Sequence, residues 1–181
     1  MVRGTLLCLL FIGASELLFA QQQMLDWDSS RPLIWTDFKA QPDQNSSAVA
    51  VTTSGISYGF TSKSSNGKVV SYEVEISTHF YPHKSWQKKE IVNDYVLRHE
   101  QFHFNITELF ARRFREKISD LKMSQDVKSK VDLIYKKITS DLNDMQNLYD
   151  YETQHSKEKN TQQQWESKIE AMLEQLDQYK S

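Results

Sequence analysis

Between Lys88 and Ile118 no Gly or Pro interrupts the chain, and Val92, Tyr95, Val96, His99, Phe102, His103, Ile106, Phe110 and Phe114 recur at helical steps. That spacing predicts one long amphipathic helix with its apolar stripe against a core. His99 and His103 stand on the stripe itself, and Glu100 follows the first of them. An α-helix turns about 100° per residue, so positions i and i+4 lie about 40° apart and about 6 Å along the axis. Both imidazoles can therefore reach one metal ion. Glu100 sits beside them, able to contact a water on the metal more easily than the metal itself. H-E-x-x-H on a helix is the zinc-hydrolase pattern, with two His as ligands and Glu as general base. A buried imidazole needs a polar partner, and a metal ion serves two at once.

A catalytic zinc needs a third protein ligand and an open position. The single cysteine, Cys8, lies in the N-terminal apolar run, which leaves His and carboxylates as ligands for the rest of the chain. Glu108, five residues past His103, falls about 140° around the helix and faces away. His155 lies where the second helix breaks, and Asp150 is its rival, either as a ligand or as an acceptor orienting an imidazole. His79 and His83, at a strand end, read as ordinary surface histidines. Tyr149 and Tyr151 flank the rival ligand and could donate to a polarised carbonyl, or equally be core tyrosines.

Residues 1–20 differ from the remainder. Arg3 precedes the apolar run Leu6–Ile12, then small residues and Leu18-Phe19-Ala20. This reads as a secretory signal peptide cut after about Ala20. A retained membrane anchor needs about twenty apolar residues, and Glu16 breaks this run. A secreted or periplasmic protein follows, with residues 21–181 as a single domain. The net charge of −2 supplies no basic field for nucleic acid.

The rest of the chain supplies a small sheet and two more helices. Arg31–Phe38 holds Trp35 and Phe38, aromatic anchors for an N-terminal segment. Ala48–Thr61 alternates loosely and Val69–Phe80 more regularly, with Asn66-Gly67 between them as a hairpin turn. A second helix starts near Ser124 with the stripe Val127, Val131, Ile134, Ile138, Leu142, Met145 and Leu148, and its pattern breaks over Tyr149–His155. A last helix spans roughly Thr161–Tyr179. The expected fold is α+β: a small antiparallel sheet or hairpin followed by three helices, with H-E-x-x-H on the first.

Three stretches together carry a resemblance. Leu97-Arg98-His99-Glu100-Gln101-Phe102-His103-Phe104-Asn105-Ile106, with Glu108 and Arg112 after it, resembles the signature of a bacterial family of secreted zinc-dependent proteases, domain of unknown function 922. Leu33-Ile34-Trp35-Thr36-Asp37-Phe38 and Tyr149-Asp150-x-x-Thr153-x-His155, with Trp165 following, resemble its flanking motifs. Ser156 stands where that pattern often has Gly. The resemblance implies a zincin-like metallopeptidase acting on a peptide or protein, and it favours His155 over Asp150 as the third Zn²⁺ ligand. Glu100 would be the general base, and an edge of the hairpin would receive an extended peptide. Two other readings share these residues: a non-catalytic zinc-stabilised binding or structural domain, and a zinc hydrolase of a non-peptide amide or glycan.

Overall fold

The computed structural model describes residues 24–181, and the leader expected over residues 1–20 lies outside them. In order the elements are β1 (Leu25–Asp26), β2 (Ala50–Val51), β3 (Ser54–Ser65), β4 (Lys68–Phe80), β5 (Trp86–Gln87), α1 (Asp94–Ser119), α2 (Val127–Thr153) and α3 (Lys159–Gln175). Short 3-10 turns occur at Trp35–Asp37, Pro82–Lys84 and Asp177–Tyr179. The fold is α+β, antiparallel sheets followed by three helices, as the periodicity predicts.

Asn66 and Gly67 take φ of 50° and 73°, the left-handed pair that a two-residue hairpin turn requires. β3 and β4 pair antiparallel around it, and β1 adds to the other edge of β4. Ile56 and Ile76 point from this sheet into the core, with Tyr58, Phe60 and Val74 packed beside them. Val70, nearer the turn, is exposed. The expected strand over Ala48–Thr61 is two strands in two sheets. Thr53 is the junction: its N–H donates to Ser85 Oγ and its carbonyl accepts from Tyr81 N–H, which turns the chain from β2, paired with β5, into β3.

α1 begins later than the apolar pattern does, because Asn93 caps it. The Asn93 side chain accepts from Val96 N–H at 3.0 Å. The helix lies between the hairpin on one side and α2 and α3 on the other. Ile106, Leu109, Phe110 and Phe114 meet Val131, Ile138 and Leu142 of α2 and Trp165, Ile169 and Leu173 of α3 in one cluster. Each such side chain contributes about 1.5–3 kcal/mol of burial. A second cluster joins Leu33 and Phe38 to Phe80 and Phe104 and so fixes the N-terminal segment, with Trp35 packed at its margin. Within that segment Asp37 accepts from Arg31 at 2.7 and 3.0 Å and from Ile34 N–H at 2.9 Å.

Glu108 faces away from the histidines, as its spacing requires, and is fully buried. Its carboxylate accepts from Thr78 Oγ1 (2.7 Å), Arg112 Nε (2.9 Å) and Arg115 Nη1 (3.2 Å). Arg112 donates onward to the Leu173 carbonyl at 2.7 Å. These bonds tie α1 to β4 and to the end of α3. Among the described residues, no helix is long and apolar enough to cross a membrane.

Candidate metal centre

α1 and α2 bring three ligand atoms together. His99 and His103, one turn apart on α1, have their Nε2 atoms 3.2 Å from each other. Asp150, in the last turn of α2, places Oδ1 at 3.1 Å from His99 Nε2 and 3.0 Å from His103 Nε2. One donor atom from each of the three side chains lies within 4.8 Å of the others, and both imidazoles belong to the packed side of α1.

Each ring is held from behind. Gln146, one turn before Asp150 on α2, accepts from His103 Nδ1 through Oε1 and donates to the His103 carbonyl at 2.9 Å through Nε2. A partner on one ring nitrogen selects the tautomer and aims the other nitrogen. The ring of Tyr149 stacks on His99, and Trp165 packs edge-on against Tyr149 at 5.7 Å. The His99 Nδ1 atom is buried without a hydrogen-bond partner.

The electrostatics favour the ionised form of Asp150 and pull the two rings in opposite directions. Burial pushes the His99 pKa below its ordinary value, against the opposing pull of Asp150. Burial also opposes charge on His103, but the hydrogen bond to Asp150 and the charges of Glu100 and Asp150 outweigh it, so that pKa is raised. Burial would raise the Asp150 pKa; hydrogen bonds from His103 and His99 overcome this and hold the carboxyl well below the usual carboxylate range.

Glu100 is buried next to the donors, and its Oε2 has no hydrogen-bond partner. Its backbone carbonyl accepts from Thr52 Oγ1 at 3.2 Å. A pocket of about 200 Å³ opens over these groups, lined by Ala48–Thr52 on one wall and by His99, Glu100, His103, Asp150, His155 and Ser156.

A family model described as "Bacterial protein of unknown function (DUF922)" matches residues 35–156. The chain belongs to this family. The DUF922 match runs from Trp35 to Ser156 and takes in all three donors, Glu100 and the pocket wall. No curated protein and no solved structure matches the chain.

In this DUF922 chain the structure places the other expected site residues less centrally. His155 is not one of the three grouped donors. α2 stops at Thr153, and Gln154, His155 and Ser156 take φ of 48°, 53° and 66°. This left-handed turn leaves the His155 side chain 67% exposed at the pocket rim, with Nδ1 3.4 Å from Asp150 Oδ1. The three grouped donors thus include Asp150, where the resemblance favours His155. Tyr149 is wholly enclosed, its hydroxyl unpartnered, and burial followed by the Glu166 and Glu100 charges raises its pKa. It packs on His99 instead of lining the pocket. Tyr151 is 79% exposed and lines a separate open depression with Asp150, Glu152 and His155. His79 bonds Asp26 at 2.8 Å and Ser57 at 2.7 Å, away from the site, and His83 is exposed on the turn after β4. Gln146 and the wall Ala48–Thr52 join the candidate site and are absent from the residues expected above. Gln146 was findable, because it precedes Asp150 by four and must share its helix face.

Proposed function

We propose that this chain is a zinc-dependent hydrolase of peptide bonds, exported as the leader expected over residues 1–20 suggests. The observation that carries the reading is the convergence of His99 Nε2, His103 Nε2 and Asp150 Oδ1 beside a Glu100 oxygen with no protein partner. Two imidazoles and one carboxylate are a donor set that zinc takes in catalytic sites, with room left for a fourth ligand. His99, His103 and Asp150 would hold the ion, which when bound supplies Lewis acidity and brings a water pKa toward neutrality.

Glu100 accepts the proton of the attacking water and returns it to the leaving amine. Its burial keeps the carboxylate out of bulk solvent, where a proton transfer would be short-circuited. His155, at the rim, is placed to donate to the substrate carbonyl, a role that enclosed Tyr149 cannot take.

Peptide is favoured as substrate by the wall of the pocket. Lys88 N–H donates to the Val49 carbonyl at 2.8 Å, so 49 and 88 form a hydrogen-bonded pair. With Ala50 opposite Gln87 and Val51 opposite Trp86, the Ala50 N–H and C=O must point away from β5. An extended peptide could add there by main-chain hydrogen bonds. A second depression lies past His103 and Asp150, lined by Thr52, Thr53 and Ser54, so the edge continues along the donors. The hairpin contributes only its first residue, Ser54, to this edge.

One observation favours a second reading. His155 Nδ1 lies near the same Asp150 oxygen that serves the other two imidazoles, so a small movement would make it a fourth ligand. A site closed in that way would serve a zinc-stabilised binding domain. Metal analysis and a peptide-library digest of purified residues 21–181 decide between them. About one zinc per chain with cleavage that Glu100→Ala abolishes supports the hydrolase. Zinc without any exchangeable water, and no cleavage, supports the closed domain; iron in place of zinc would overturn both, since two His and one carboxylate also hold iron(II).

A further inference from the structure

The junction of α1, α2 and α3 behind the ligands holds an unusual set of side-chain atoms. Tyr95 Oη, His99 Nδ1, Tyr149 Oη and Gln162 Oε1 are all buried without a hydrogen-bond partner. Native interiors rarely leave such groups unpaired, and one enclosed water usually serves about three of them.

The residues are neighbours. Tyr95 and His99 are one turn apart on α1, and Tyr149 of α2 stacks on His99. From α3, Gln162 Nε2 reaches the Tyr95 carbonyl at 3.5 Å. The Glu166 charge, one turn further along α3, acts on both Tyr95 and Tyr149. Gln162 itself is fully buried. Its amide orientation is fixed by chemistry: Nε2 donates to Glu166 Oε1 at 3.0 Å, and the reverse orientation would set two oxygens together. Glu166 is in turn paired with Arg98 at 2.7 Å. Oε1 is therefore left as a buried acceptor without a partner.

His99 needs an acceptor there. An imidazole that offers Nε2 to a metal carries its proton on Nδ1, and that N–H must donate to something. His103 has Gln146 for this purpose. The geometry points to a buried water at the three-helix junction that accepts from His99 Nδ1–H and donates to Gln162 Oε1, with the Tyr95 and Tyr149 hydroxyls completing its shell. Gln162 is by this assignment a positioning residue for the metal centre, acting through the water on His99. The inference rests on the metal-centre reading above. It makes α3, which contributes no ligand, part of what aims one.

The test joins a crystal structure at a resolution that places waters with metal titrations of Gln162→Met and Tyr95→Phe. One water within hydrogen-bond distance of His99 Nδ1 and Gln162 Oε1 is expected. Zinc affinity should fall about 10–100-fold in Gln162→Met, the range for partners standing behind a ligand, and less in Tyr95→Phe. The visible spectrum of the cobalt(II)-loaded protein should change in Gln162→Met, while its circular dichroism stays that of the parent. A spectrum and affinity equal to the parent's would overturn the positioning role alone, as would a protein atom bonded directly to Nδ1. A parent chain that takes up no metal, with the water in place, would overturn the metal centre and with it the role of Gln162.

Discussion

The ring of Tyr149 lies parallel to the imidazole of His99, centroids 4.6 Å apart and planes 18° from coplanar. Trp165 of α3 packs edge-on against the same tyrosine ring, so His99 of α1 is held by packing that involves both other helices. Tyr149→Phe should keep this plate and change turnover less than about tenfold, against about 10²–10⁴-fold for loss of a true proton donor. Tyr149→Ala should cost about 3–5 kcal/mol of stability through the cavity it leaves. Steady-state kinetics of the first and denaturant unfolding of the second check both.

Asp150 and His155 divide the questions of binding and turnover. Asp150→Ala removes one of three converging donors and should weaken zinc by more than the about 100-fold that marks loss of a partner behind a ligand. His155→Ala should bind zinc within about tenfold of the parent and lose turnover. Competition titrations with a chelator, read beside peptide cleavage, separate the two. A His155→Ala chain that loses zinc while Asp150→Ala retains it would restore His155 as the third ligand.

Gln146 holds both faces of its contact, accepting from the His103 ring and donating to the His103 carbonyl. Gln146→Leu fills similar volume without either bond. Zinc affinity should drop about 10–100-fold with little change in fold. Isothermal titration with zinc, alongside a thermal melt of the metal-free chain, is the measurement.

Glu108 is a fully buried anion with two arginines and a threonine upon it. Glu108→Ala strands those cations, a change worth about 3–5 kcal/mol. For a chain of this size that corresponds to a melting temperature lower by about 6–20 °C. Calorimetry measures it, and a melting temperature within a degree of the parent's would refute the account.

Much of this architecture was legible because it depends on local period. The alternation through Val74 and Ile76, the Asn66-Gly67 turn and the stripe from Val96 to Phe114 each specify an element without help from distant residues. Helix ends were harder. α1 starts at the Asn93 cap, whereas the apolar pattern begins earlier, and α2 runs five residues beyond Leu148, to Thr153, whose Oγ1 bonds the Tyr149 carbonyl. That extension decides the site, since it puts Asp150 on a helix face and His155 beyond the end. No period encodes it. The split at Thr53 depends on Tyr81 and Ser85, which only the folded chain brings near. The two α1 donors could be read from one helix; the partners Asp150 and Gln146 required knowing how α2 lies against it.

One helix carries both the histidine donors and a structural anchor. His99 and His103 look out from one flank of α1, and Glu108 with Arg112 anchors the other flank scarcely two turns later. Because both flanks belong to one helix, heat that loosens the anchor should also disturb the donors. Added metal would then move the protein's upper temperature limit upward.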